Sequence, residues 1–112
     1  LARVLEASGD LAGAAGQYRA VLSGMPGAHT SRSELAELLF RQNKADEALR
    51  ILDEGLRDAP AAPLLHRERG RVLDRMGRGA DAVSAYREYL KLAPQAADAK
   101  TFKDRIDQLT SQ

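Results

Sequence analysis

The sequence predicts an all-α solenoid of stacked helical hairpins, closed at one end by a capping helix. Three observations carry this. Pro26, Pro60 and Pro94 stand 34 residues apart. The same step links columns of like size: Ala14, Ala48 and Ala82; Tyr18, Leu52 and Tyr86; Leu22, Leu56 and Leu90; and, upstream, Ala2, Ala36 and Gly70, and Leu5, Leu39 and Leu73. Between turn-rich stretches, apolar residues recur at three and four, the spacing of one helix face. A fixed period of this length marks a chain built from stacked supersecondary units.

The columns have a physical reading. Each unit holds two antiparallel helices, A then B. Small residues stand where the two backbones approach most closely: Ala36 against Ala48, and Gly70 against Ala82. Large residues, Leu39, Leu52, Leu73 and Tyr86, fill the seam to the next unit. The proline stops helix B, because it cannot continue a helix and restricts the residue before it.

Taken in order, residues 1–7 read as the end of a first A helix. Ser8–Asp10 is a turn with N-cap chemistry. The first B helix runs to about Ser23 and carries Gly13 and Gly16, each weakening it by about 1 kcal/mol relative to Ala. After the turn "GMPGAHTS", the second A helix covers roughly 30–41 and the second B helix 45–57. The third A helix covers 64–76, and the third B helix opens at Gly79. Residues 95–109 read as a seventh helix, with Ala99, Phe102, Ile106 and Leu109 on one stripe and polar groups elsewhere, as a solenoid end requires. The expected organisation is one domain over 1–112: a partial first repeat at 1–28, repeats at 29–62 and 63–96, and the cap at 97–112. The missing start of the first A helix suggests a piece of a longer protein, whose uncapped N-terminal face would self-associate.

Composition excludes several function classes. The net charge is +1, against a dedicated nucleic-acid or membrane-surface protein. No apolar run is long enough to span a bilayer. There is no cysteine, so disulfides and thiolate metal sites are excluded. A soluble protein is expected, in the cytoplasm or periplasm, and the abundance of Ala and Arg fits a GC-rich bacterial genome.

With Ala-x3-large and Pro at a period of 34, the chain resembles the tetratricopeptide repeat family along nearly its whole length. The family's expected Trp is Arg32 in one repeat and His66 in the next, and its expected Leu is Leu1, then Leu35, then Arg69. The resemblance implies a right-handed superhelix of about three repeats plus a cap. It also implies that the A helices line a concave groove.

Catalytic chemistry finds no support. No phosphate loop, nucleophile elbow or zinc-protease pattern occurs. Gly77 and Gly79 form a turn between helices. Asp53 and Glu54 are adjacent on a helix and point apart. His66 falls in a packing column and His29 in a turn. Neither enzymatic activity nor any cofactor or metal is expected. What remains is the groove. Ser33, Glu34, Glu37, Phe40 and Arg41 come from the second A helix. The third contributes Arg67, Arg71, Asp74 and Arg75, with Glu68 alongside, and the cap adds Thr101 and Arg105. Arg67, Arg71 and Arg75 form a basic stripe at steps of four, suited to acidic groups of a partner's peptide or helix. The carboxylate clamp of chaperone-binding members is not expected, because Glu34 replaces its Asn. The leading expectation is a protein-interaction module scaffolding a complex. The alternatives are a spacer or oligomerisation segment without its own ligand, in a larger array or multidomain protein, and more weakly a nucleic-acid surface. A solvated charged face is the plain reading of the same arginines.

Overall fold

The computed structural model describes residues 9–111. Within them the chain forms six α-helices and no strand: α1 (Leu11–Gly24), α2 (His29–Arg41), α3 (Ala45–Asp58), α4 (Pro63–Arg75), α5 (Gly79–Leu92) and α6 (Ala99–Thr110). Each helix packs on the next, and α2 also packs on α4. The expected first A helix at 1–7 lies outside the described residues.

The period is written in the backbone as well as in the side chains. Gly9, Asn43 and Gly77, 34 apart, all have positive φ, at 87°, 63° and 79°. Asn43 and Gly77 each end an A helix in a left-handed cap. Lys44 N–H reaches back to Leu39 O at 2.8 Å, and Arg78 N–H to Leu73 O at 2.9 Å. These i→i−5 bonds satisfy carbonyls that the helix end would orphan. Glycine takes this conformation without strain, and asparagine is among the side chains that tolerate it.

The other turn repeats too. Met25, Ala59 and Ala93 precede the prolines with φ of −137°, −134° and −134°. All three lie outside the α region, which proline disfavours in its predecessor. Pro63 then opens α4 at its first position, where no N–H is needed.

The expected core is observed. Leu35, Ala36, Leu39, Ala48, Leu52, Leu73 and Ala82 are fully inaccessible, and Tyr86 is nearly so. Gly70 is explained differently from its expected role. A Cβ there would lie 2.5 Å from Cδ1 and Cε1 of Tyr86. The absent side chain thus makes room for the Tyr86 ring.

Two departures from the family pattern prove to be one device. Arg32 is buried, and its guanidinium donates to Ile51 O at 2.8 Å and Pro26 O at 3.1 Å. His66, one period later, shares a 2.7 Å hydrogen bond with Pro60 O. Both side chains return to the carbonyl of the repeat-ending proline. Arg69, where Leu is expected, pairs instead with Asp53 at 2.9 Å.

The capping helix starts at Ala99, four residues later than the sequence predicts. Residues 94–98 are mostly turn. Asp98 precedes the helix but makes no side-chain cap bond. Its carboxylate is turned to Arg67 and Tyr89 instead.

Candidate partner-binding groove

Helices α2, α4 and α6 together line one face with two clefts. Between α2 and α4 lies a space of about 300 Å³ bordered by Ser33, Glu34, Glu37, Arg67 and Glu68. Between α4 and α6 lies one of about 450 Å³ over Tyr86 and Phe102, with Thr101 and Arg105 on the far wall. Arg71 and Arg75 border both, so α4 forms the ridge. The second cleft exists because no Cα of α4 comes within 8 Å of one in α6. Side chains bridge that gap.

The arginine stripe is present, but two of its three members are committed to partners inside the chain. Arg75 Nη1 donates to both Glu37 carboxylate oxygens, at 2.9 and 2.7 Å, and its guanidinium covers the Phe40 ring at 5.3 Å. Arg67 Nη1 donates to Asp98 at 3.1 Å and lies over Tyr89. Arg105 embraces Asp74 with two bonds of 2.8 and 2.7 Å. Arg71 is different. It makes no hydrogen bond to any described residue, its nearest carboxylate is Glu68 at 3.8 Å, and it stacks over Phe102 at 5.5 Å. A guanidinium stacked on a ring keeps its N–H edge available for a planar acceptor.

The remaining expected site residues divide. Ser33, Glu34 and Glu37 line the α2–α4 cleft. Phe40 and Arg41, at the end of α2, line neither cleft. Phe40 packs on the core under Arg75 rather than standing open as an apolar contact. Glu68, expected as a surface neighbour of the stripe, is only 3% exposed. Its spacing was the available signal: Leu65, Glu68 and Val72 stand at i, i+3 and i+7, the apolar face of α4. Ser33 hydroxyl donates to its Oε2 at 3.3 Å, while Oε1 is buried with no hydrogen-bond donor.

Two carboxylates hold the capping helix. Hydrogen bonds from Arg105, then from Tyr86 at 3.0 Å, hold the Asp74 carboxyl below its ordinary 3.8 against the opposing effect of burial. Burial likewise pushes Asp98 up, but bonds from Tyr89 and Arg67 outweigh it and leave it lowered. Burial and the bond to Asp74 push the Tyr86 phenol up, so it stays a donor. Lowered carboxylates stabilise the fold above their unfolded values, and that contribution is lost as pH falls through the folded ones. Below about pH 4, α6 is therefore expected to lose amide-exchange protection before α2 and α3 do. Simultaneous loss along the whole chain would refute this anchoring role.

Among the described residues, no cluster of His, Cys, Asp or Glu could hold a metal ion, and no helix is long and apolar enough to cross a membrane.

Comparison with known proteins bears on the fold. A family profile described as tetratricopeptide repeat matches residues 5–72. No curated protein matches the sequence. Among solved structures, the TPR2B domain of yeast Sti1, in a complex described as with pHsp70, superposes with a TM-score of 0.84 at 12% identity, covering 99% of this chain and 91% of that one. The first TPR of Spaghetti (RPAP3), bound to the HSP90 peptide SRMEEVD, gives 0.81 at 17% identity, covering 99% and 88%. The type III secretion translocator chaperone SycD of Yersinia enterocolitica gives 0.81 at 14% identity, covering 97% and 78%. With the 34-residue period, the recurring αL turns and the profile match on one chain, this protein belongs to the tetratricopeptide repeat family.

Proposed function

We propose that this domain is a protein-interaction module that binds an extended segment of a partner along α2, α4 and α6, with Arg71 as the anchor for an acidic side chain. The observation that carries this is the contrast within the stripe. Arg67 and Arg75 are neutralised by Asp98 and Glu37, while Arg71 borders both clefts with its hydrogen-bonding edge unspent. Similar folds seen with chaperone peptides support a peptide as the ligand class. Thr101, exposed across the α4–α6 cleft, supplies a hydroxyl on the opposite wall. A charge-assisted bidentate pair of this kind is among the stronger hydrogen-bonding arrangements.

Internal neutralisation of the other arginines favours a second reading, a spacer segment without a ligand of its own. The test is a photo-crosslinking residue at Thr101, compared with one at the exposed Arg87 on α5, in the host cell. A groove binder gives adducts at Thr101 that vanish with Arg71→Glu and weaken with salt. A spacer gives none at Thr101, or gives adducts indifferent to Arg71.

A further inference from the structure

We propose that the groove continues past the Asp74–Arg105 pair into a pocket for one apolar side chain of the partner, about four extended residues along the segment from the acid held by Arg71. Asp74 and Arg105 border the α4–α6 cleft and also a further space of about 540 Å³. Gly77, Gly79 and Val83 line that space from the α4–α5 turn and α5, and Leu109 and Thr110 line it from α6. The position of the acid rests on the proposed role of Arg71; the pocket itself does not.

The repeat shows what this place holds elsewhere. One period earlier, the positions of Asp74, Gly79 and Thr110 are taken by Phe40, Ala45 and Met76. All three of those are apolar and pack on the core. In the last unit each is smaller or polar, and the Asp74 carboxylate is turned to Arg105 and Tyr86. The seam that Phe40 and Met76 fill between α2 and α4 is thus open between α4 and α6.

Nothing in the fold requires a glycine at 79. Gly77 in the same turn has a positive φ, and Gly79 does not. A Cβ on Gly79 would stand 3.6 Å from Leu109 Cδ2, an ordinary contact. Alanine and leucine are also better helix formers than glycine. The same column carries Leu11 and Ala45 in the earlier units, both packed on the core. Gly79 therefore keeps open a volume that the earlier units fill, and the group that fits it is a Phe- or Met-sized side chain from outside.

Charge and length identify its source. Arg71 lines the adjoining cleft and makes no hydrogen bond to any described residue, so the segment that reaches it is acidic. From Thr101, across the cleft from Arg71, to Leu109 at the pocket, α6 rises about 12 Å. An extended chain covers that distance in about four residues at ~3.3 Å each. Residues four apart in a strand point to the same side, so the acid and the apolar group face the groove together.

The experiment follows the methyl groups of Val83 and Leu109 by NMR while three probes are added. These are N-acetylphenylalaninamide, N-acetylglycinamide, and a blocked pentapeptide of glutamate, three alanines and phenylalanine. Saturable shifts are expected with the phenylalanine amide and none with the glycine amide. The pentapeptide should bind at least about ten-fold more tightly than the amide, through the added charged pair. Gly79→Leu and, separately, Thr110→Met fill the pocket as the earlier units do, and each should abolish the amide's shifts without lowering the melting temperature. Arg71→Glu should remove the pentapeptide's advantage and leave the amide's binding unchanged. Absence of saturable shifts, or shifts that survive both filling variants, would overturn the proposal. Methyl shifts that depend on protein concentration alone would overturn it too, by giving the pocket to a second copy of the chain. A pentapeptide no tighter than the amide would overturn the four-residue spacing. A pentapeptide advantage indifferent to Arg71 would refute the anchor and leave the pocket standing.

Discussion

Gly70→Leu is expected to lower the melting temperature by roughly 5–15 °C, corresponding to about 1–3 kcal/mol of overpacking. Even a methyl group at this position meets two Tyr86 ring carbons at 2.5 Å. The ring is 2% exposed, packs on Phe102 at a centroid distance of 4.9 Å, and is tied to Asp74 by its hydroxyl. It cannot step aside without disturbing the cap. Ala82→Leu, at an equally inaccessible site, should act in the same direction. Gly16 provides the contrast. It is exposed, no described atom lies within 4 Å of its missing Cβ, and Gly16→Ala should stabilise by up to about 1 kcal/mol through helix propensity. A Gly70→Ala/Tyr86→Leu double-mutant cycle measured by denaturant unfolding isolates the contact. No coupling between the two would mean that the ring does not explain the glycine.

Arg32→Ala should cost about 2–4 kcal/mol, an effect unusual for an arginine. Two backbone carbonyls, Pro26 O and Ile51 O, lose a charged donor, and such bonds contribute about 1.5–3 kcal/mol each when buried. The aliphatic stem matters as well. Gly55 lacks a side chain directly beneath it, and a Cβ there would meet Arg32 Cδ at 2.4 Å. Removing the stem leaves a void between α2 and α3. Arg50, whose side chain is 66% exposed, is the control, and Arg50→Ala should change stability by less than about 0.5 kcal/mol. Urea midpoints for the two variants decide the matter. Equal, small shifts would show that Arg32 is a surface residue in solution.

Much of this fold was legible in the residues because a tandem repeat states its geometry several times. The prolines, the small columns at Ala48 and Ala82 and the leucines at Leu39 and Leu73 each answer a local demand that recurs every 34 residues. The turn residues carried more than their composition suggested. Gly9, Asn43 and Gly77 stand in register at the αL position, although only two are glycine. The cap was expected to start at residue 95 but starts at Ala99, and nothing local reveals that Arg67 and Tyr89 will claim the carboxylate of Asp98 just before it.

The groove shows the same boundary. Steps of four placed Arg67, Arg71 and Arg75 on one face of α4 without any structure, since helical spacing depends only on the chain itself. Which of them is spent was invisible, because their carboxylates come from 31 and 38 residues away for Asp98 and Glu37. The sequence alone thus determined a stack of helical hairpins with its period, core columns and basic stripe, all consequences of local periodicity and size. Only the tertiary structure decided that Arg32 and Glu68 are buried and that Arg71 keeps a free edge. These depend on how neighbouring helices meet, and burial and pairing are properties of that meeting rather than of either helix.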